Sequence, residues 1–367
     1  MNKMILANLA HRPFRALIGV FAVAVEVTLI LLIVGIMLGM LTDTSNRQAG
    51  VGADILVQPP GASLFMGVSG APVSEKLADK LRQVPHVVAV APVAAQLTTT
   101  GYISVIDGID LKSFEAIGGP MDYLSGGSFQ GPYDIIVDDL EAAAKHLSVG
   151  DKVEVLNHEF TVCGIVEHGR GARQFIPLST LQEIIGAKGK ASIFYVKLDN
   201  PNHAEMVVRE IKSIPGMEQY GVYSVKEYLS LMSSSSIPGL NTVIRVVIGI
   251  AMTIGFIVIF QAMYAAVMER TREIGILKSL GAGKLYIVNA ILRETLVIAI
   301  GGVILGISMS YAAKAGLRAK FRTLPLMITE AWLLKATIIA IVGSLLGALY
   351  PALKAAQKDP IDALAYE

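Results

Sequence analysis

Four long apolar runs set the pattern of this chain, and the segments between them follow a different rule. Ala16 to Leu41, Leu240 to Val267, Tyr286 to Tyr311 and Trp332 to Tyr350 each carry enough consecutive apolar residues to cross a bilayer as a helix. The first is interrupted only by Glu26 and Thr28 and is preceded by Lys3, His11, Arg12 and Arg15. At about 25 residues it exceeds the roughly 7–15 residue core of a signal peptide, and no small-residue cleavage site follows it. It is therefore read as a first transmembrane helix with a basic flank. The pattern predicts an N-terminal segment 1–15, spans at 16–41, 240–267, 286–311 and 331–350, connecting segments 268–285 and 312–330, and a tail 351–367.

Between the first two spans, over 42–239, short β-rich runs alternate with Gly, Pro, Asp and Asn turns. Expected strands are Asp54 to Gln58, Val87 to Val93, Ile103 to Ile106, Ile135 to Val137, Lys152 to Val155, Phe160 to Val166 and Ser192 to Leu198. Helical spacing marks Ser74 to Val84, with Ser74 as its N-cap, together with Glu141 to Leu147 and Ala204 to Ile214. The fold class is thus a membrane protein of four transmembrane α-helices, with a large α+β extracytoplasmic domain in two lobes inserted between helices 1 and 2. The lobe boundary is expected near Gly126 to Pro132.

Composition agrees: 53% hydrophobic and 17% charged residues, with a mean hydropathy of +0.58, are outside the range of an ordinary soluble protein. A net charge of +1 without a basic block gives no reason to expect nucleic acid. The single cysteine, Cys163, excludes an internal disulfide and cysteine-cluster metal sites, and reads as a buried strand residue. Four spans put both termini on one side. Lys3, Arg12, Arg15, Arg270, Arg272, Lys278, Lys284, Lys354 and Lys358 flank the spans on that side, against Lys314, Arg318, Lys320 and Arg322 on the other. Nine against four places the termini and 268–285 in the cytoplasm.

The segment Met268 to Lys284, MERTREIGILKSLGAGK, is a charged island between apolar spans. Glu269, Arg270, Arg272, Glu273 and Lys278 surround Ile274, Ile276, Leu277 and Leu280, and the run stops at Gly281 and Gly283. Taken alone it fits either a short amphipathic helix at the membrane surface or a solvated connector laced by local ion pairs.

Chemistry of its own is hard to find in this chain. Gly281-Ala282-Gly283-Lys284 lacks the spacing of a phosphate loop, since Lys278 and Leu285 stand where a glycine and a Ser or Thr are required. The run GAKGKAS at Gly186 to Ser192 fails the same test. There is no HExxH and no GxSxG, and among six scattered histidines only His158 and His168 are even loosely spaced. No catalytic residue, metal or cofactor is assigned to the chain. Inside the spans, Glu26, Gln261, Arg293 and Glu294 lie at similar depth from the inner surface, and each ionisable group there calls for a partner. Glu26 is expected to pair with Arg293, and Arg245 to snorkel to the outer boundary.

One span, a large inserted domain, three further spans and ERTREIGILKSLGA at Glu269 to Ala282 together resemble the permease subunits of the MacB-like, or type VII, ABC transporters, which include macrolide-exporter, lipoprotein-releasing and FtsX proteins. Glu294 before a glycine-rich third span is similar to that family, as are Pro351-Ala352-Leu353-Lys354-Ala355-Ala356 and Asp359-Pro360-Ile361-Asp362-Ala363-Leu364. Leu147 to Val153, Phe160 to Val166 and Phe175 to Leu178 resemble its second lobe.

The resemblance implies a non-catalytic subunit that works as a homodimer, or paired with a similar permease, on two copies of an ABC ATPase that binds ATP and Mg. A periplasmic adaptor or carrier protein is a further implied partner. Glu269, Arg270, Arg272, Glu273, Ile274, Ile276, Leu277, Lys278 and Leu280 would then form the coupling helix in an ATPase groove. Spans one and two would continue outward as a stalk through Thr42 to Ala49 and Tyr228 to Thr242. Ser233, Ser234, Ser235, Ser236, Pro238 and Gly239 are poor helix material within that stalk and are read as a hinge, the alternative being a plain loop. The implied function is export or extraction of an amphipathic or lipid-like molecule by mechanotransmission. The alternatives are an FtsX-like signalling protein acting on an extracytoplasmic enzyme, and a haem or drug efflux permease without an adaptor.

Overall fold

The computed structural model describes residues 13–62, 71–98, 104–232 and 239–358. The hinge residues Ser233 to Ser236 and Pro238 lie outside them, as do the family-like tail residues from Asp359 onward; Gly239 lies inside, directly before a helix. In chain order, α1 (Pro13–Gly50) is followed by β1 (Ile55–Gln58), β2 (Val73–Ser74), α2 (Leu77–Leu81), β3 (Val87–Thr98), β4 (Ser104–Ile109), α3 (Leu111–Gly118), β5 (Tyr123–Gly126), β6 (Asp134–Asp138) and α4 (Asp139–Lys145). Then come β7 (Lys152–Val155), β8 (His158–Val166), β9 (Gln174–Pro177), α5 (Leu178–Ile184), β10 (Lys190–Ala191), β11 (Ile193–Leu198), α6 (Ala204–Ser213), β12 (Gly221–Ser224) and α7 (Val225–Leu231). The chain closes with α8 (Leu240–Glu269), α9 (Thr271–Ser279), α10 (Lys284–Lys320) and α11 (Glu330–Gln357). These elements form two compact units, one of helices and one built on a sheet.

The sheet unit holds a ten-stranded mixed sheet in the order β12-β1-β11-β3-β4-β9-β6-β8-β5, with β7 paired to β8. The β4–β9 and β6–β8 pairs are parallel, and the others are antiparallel. The interior strand β11 is buried on both faces, so adjacent residues serve opposite cores. Phe194 and Val196 pack with Ile55, Val57, Val207 and Ile211 beneath α6, whereas Ile193 and Tyr195 pack with Phe114, Ile117 and Tyr228 of α3 and α7. Toward the other end, β8 buries Phe160 and Val162 against Ile135 and Val137. Two expectations change. The lobe boundary near Gly126 to Pro132 falls between β5 and β6, which both pair with β8, so the second half of the sheet begins at β5. Ser74 does not cap a helix, because it pairs with Lys190 in the small β2–β10 sheet and the helix starts at Leu77.

The last turns of α1 are built into this unit through charge. Asp43 Oδ2 accepts from Arg47 Nε and from an Arg173 side-chain nitrogen, both at 3.0 Å, and a second nitrogen of Arg173 reaches Asp138 Oδ2 at 3.0 Å. Asp138 also caps α4 by accepting from the Glu141 N–H at 2.6 Å, and Glu141 accepts from Gln174 at 2.7 Å. Arg47 and Gly171 exchange backbone and side-chain bonds at 2.9 Å, and the Tyr195 hydroxyl donates to Gln48 at 2.8 Å. Asp107 is buried behind this network on β4. Burial pushes its carboxyl up to about 7, against the opposing pull of the Arg47 guanidinium and a hydrogen bond from the Ala172 backbone.

The helical unit contains four helices long and apolar enough to span a membrane. α10 crosses α1 through Gly302 and Gly306: a Cβ on Gly306 would lie 2.7 Å from the Ala24 carbonyl oxygen and 2.8 Å from Val27 Cβ. Thr28 donates to the carbonyls of Ala24 and Gly306 at 2.7 and 3.1 Å across the same contact. α11 presents Ala336, Ala340, Ser344, Ala348, Ala352 and Ala356, a fully buried stripe of small residues four apart. α1 continues past the span end at Leu41 to Gly50, as the stalk expected through Thr42 to Ala49 requires. Two helices overrun their expected ends. α10 absorbs part of the expected loop up to Lys320 because Ala312 to Lys320 is rich in Ala, Leu, Lys and Arg. At 37 residues α10 is about 55 Å long, well beyond a hydrocarbon core of about 30 Å. α11 passes through Pro351, where its end was expected, to Gln357; neighbouring helices tolerate such a proline by re-satisfying the freed backbone groups.

Two outcomes follow from these contacts. Gly306→Leu, which forces α1 and α10 apart, lowers the unfolding temperature of the detergent-solubilised chain strongly, whereas Gly316→Leu on the open side of the same helix leaves it unchanged. Asp107 retains its proton in the folded state between pH 4 and 7 while the unfolded carboxyl, of ordinary value 3.8, has lost it, so stability falls as pH rises through that window. The loss amounts to about 3–4 kcal/mol, and Asp107→Asn flattens the pH dependence of the melting temperature between pH 5 and 8.

Candidate functional site

The charged island forms a separate short helix because the backbone breaks at one residue. Arg270 leaves helical geometry at φ −102°, ψ 17°, ending α8 and beginning α9. The Thr271 hydroxyl folds back onto the carbonyls of Val267 and Met268 at 3.2 and 2.8 Å and holds the corner. At the other end Gly281 has φ +94°, and the Ala282 and Gly281 N–H groups bond the carbonyls of Leu277 and Lys278 at 3.0 Å. That is a Schellman stop, and it requires the glycine.

Two cations fasten this helix to its own bundle. Arg270 meets Glu294 of α10 at 3.1 Å, with both side chains largely buried. Lys278 Nζ donates to the Ala356 carbonyl at 3.0 Å and to the Lys358 carbonyl, so it closes the C-terminal end of α11. Between these clamps Ile274 and Leu277 pack half-buried on the bundle core. Ile276 and Leu280 point away, at 44% and 80% exposure, alongside exposed Arg272 and Glu273. Glu269 is also exposed. A largely apolar cleft of about 320 Å³ opens between the end of α8, α9 and the start of α10; Met263, Val267, Ile274, Leu277, Tyr286 and Ile287 line it, the exposed Ile276 and Glu273 border it, and the Arg270–Glu294 pair stands at its wall.

The four intramembrane polar residues are not gathered into one site. Glu26 is 3% exposed, and neither carboxylate oxygen has a hydrogen-bond partner among the described residues. Its carboxylate fills the space where Gly255 of α8 lacks a side chain, and a Cβ on Gly343 of α11 would lie 3.9 Å away. The expected Glu26–Arg293 pair does not form. α10 turns Thr295, Ile298 and Gly302 inward, which leaves Arg293 exposed with its Nε on Asn289 at 3.2 Å. Glu294, one residue and about 100° further round, is the one that finds a cation, Arg270. Gln261 is exposed on α8, between inward-facing Ile259 and Met263. Arg245 is exposed and donates to the Asn241 carbonyl at 3.3 Å.

In the sheet unit, Cys163 is half-buried on β8, with Sγ 3.5 Å from the Ile135 carbonyl oxygen, and burial raises its thiol to about 12. His158 and His168 do not meet: the first bonds the Leu156 carbonyl and the second Asp139. The histidines that do converge are His86 and His203, on either side of Asp199. Sequence spacing hid them, because His86 and Asp199 are 113 residues apart and are joined only by the β3–β11 pairing. Asp43, Arg47, Asp138 and Arg173 were also missed as a set; the only local signal was the four-residue Asp43–Arg47 spacing.

Comparison with known proteins accounts for both units. Residues 16–214 match the family model of the MacB-like periplasmic core domain, and residues 245–360 match that of the FtsX-like permease C-terminal region. The macrolide export ATP-binding/permease protein MacB of Shewanella sp. strain W3-18-1 is 23% identical over 393 aligned residues, covering 100% of this chain and 60% of that protein. The uncharacterized ABC transporter permease YknZ of Bacillus subtilis is 35% identical over 128 residues, 35% of this chain and 32% of its own length. This chain therefore spans less than two thirds of the length of either relative. Among solved structures, the periplasmic region of MacB from Actinobacillus actinomycetemcomitans aligns at 18% identity with a TM-score of 0.38, over 48% of this chain and 92% of that one. With a MacB-like core domain over more than half its length and an FtsX-like permease region after it, the chain belongs to the MacB-like family of ABC transporter permeases.

Proposed function

We propose that this permease is the membrane subunit of an export or extraction machine driven by a separate ABC ATPase, and that α9 is where the ATPase engages. The observation that carries this reading is the division of α9 into two faces. Its inner face is tied to α8, α10 and α11 through Ile274, Leu277, the Arg270–Glu294 pair and Lys278, while Ile276 and Leu280 are free to enter a groove. A helix held in this way transmits a push on its outer face to three membrane helices at once. Arg272 and Glu273 flank the apolar pair and would fix register at the rim of the contact. Neither glycine–lysine run has phosphate-loop spacing, which supports placing ATP and Mg in a partner chain.

In this reading the termini and α9 face the cytoplasm of a bacterial inner membrane, and the sheet unit lies outside. Two copies of the ATPase act on two permease copies, and an amphipathic or lipid-like molecule is moved by motion passed to the outer domain. The large mixed sheet gives an adaptor or carrier protein a broad surface to dock on. Support for moving cargo comes from the relatives whose names record macrolide export.

The docking assignment has a direct test. Ile276→Asp combined with Leu280→Asp alters exposed side chains only, so the melting temperature of the permease stays within about 2 °C of the parent. Co-purification of the ATPase from cells expressing both chains is expected to fall at least about tenfold, the loss of roughly 1.4 kcal/mol or more of binding free energy. An ATPase that still co-purifies in full places the contact elsewhere.

A further inference from the structure

His86, Asp199 and His203 come together at one end of the sheet unit, and each is held there by backbone rather than by chance of rotamer. Val84 to Val87 is a tight turn closed by the Val87 N–H on the Val84 carbonyl at 3.2 Å. Pro85 occupies its second position and His86 its third, at φ +70°, a conformation that such turns ordinarily give to glycine or asparagine. The His86 carbonyl accepts from the Asp199 N–H at 3.0 Å, which fixes the two residues across the ends of β3 and β11. Beyond Asp199 the chain turns at once: Asn200 accepts from the Asn202 N–H through its side chain and from the His203 N–H through its carbonyl, both at 3.0 Å, and Pro201–His203 is a 3-10 turn leading into α6. His203 thereby returns to Asp199 four residues on.

The side chains face one another. His86 Nδ1 lies 2.9 Å from Asp199 Oδ2, His203 Nδ1 lies 3.0 Å from Asp199 Oδ1, and the two ring centroids are 4.1 Å apart. Ligand atoms of all three residues fall within 4.8 Å of one another. The side chains are 35%, 48% and 36% exposed, so an ion and a completing water can reach them.

We propose that His86, Asp199 and His203 form a binding site for a divalent late first-row cation, Zn²⁺ first among them. Two imidazole nitrogens and a carboxylate are a donor set suited to zinc, with water in the fourth position. With zinc–ligand bonds of about 2.0–2.1 Å a tetrahedron has edges of about 3.3 Å, so the nitrogen–oxygen separations of 2.9 and 3.0 Å open by a few tenths of an ångström, while the two imidazoles, each on a different carboxylate oxygen, turn toward one shared ion. Each ring coordinates through Nδ1 and carries its remaining proton on Nε2. The bound ion joins three segments, the turn before β3, the end of β11 and the start of α6, and stabilises the part of the sheet unit they enclose.

The test uses the tag-free full chain in detergent, stripped with chelator and titrated calorimetrically with zinc chloride alone. One equivalent is expected to bind and to raise the melting temperature. His86→Asn, which keeps a residue that tolerates the left-handed turn, and His203→Gln each weaken binding by at least about tenfold. His168→Gln, at the unrelated Asp139 contact, leaves it unchanged. Cobalt(II) gives an independent readout, with visible absorption of a four-coordinate site in the parent and not in the two variants. Failure to bind zinc stoichiometrically, or binding that persists undiminished in both His86→Asn and His203→Gln, overturns the assignment.

Discussion

In a hydrocarbon solvent the apolar side chains of four spans have no reason to prefer one another to lipid, and contact has to come from close backbone approach. That constraint governs the helical unit. Gly302 and Gly306 let α10 lie directly on the backbone of α1, and the six small residues spaced four apart from Ala336 to Ala356 do the same for α11. Gly255 shows its other consequence. The space that a missing side chain opens on α8 is occupied by the Glu26 carboxylate, so the same device that brings helices together also decides where a buried acid can be accommodated.

Against that apolar background each charged contact works as a fastener between segments that hydrophobic packing alone would leave free. Arg270 and Glu294 bind the α8–α9 corner to α10, and Lys278 binds α9 to the end of α11. In the sheet unit Arg173 joins Asp43 of α1 to Asp138 at the head of α4. These pairs are largely buried, where removing one partner leaves the other uncompensated, so their role is to fix geometry more than to add stability. Asp107, buried beside Arg47 without a full salt bridge, is the exception, and it makes this region responsive to pH.

The spans, the inserted domain and the glycine stop of α9 were legible in the sequence because each depends on local pattern: run length, alternation and the position of Gly281. The end of α10 was not, because hydropathy records where lipid stops and helix propensity continues beyond it, as Ala312 to Lys320 shows. β5, β9 and β12 are four residues each and carry Gly or Pro, so they merge with the turns around them, whereas β7, equally short, stands out because Lys-Val-Glu-Val alternates. Facing directions inside the bundle were the least legible. Glu26 and Arg293 have suitable charges, yet which side of α10 turns inward is set by Gly302 and Gly306, several residues further along the helix.

The division of α9 shows how a family motif can hide two functions in one run of residues. Ile274, Ile276, Leu277 and Leu280 look equivalent as apolar positions among charges, but a helix of nine residues has room for two faces. The first and third pack on the bundle, and the second and fourth do not. The charged residues divide the same way, since Arg270 and Lys278 are consumed in holding the helix and Arg272 and Glu273 remain outside. A surface that must both receive a partner and pass on its movement needs this separation. If every apolar residue entered the partner, nothing would tie the helix to α8, α10 and α11, and a displacement of the helix would be lost in its own flexibility.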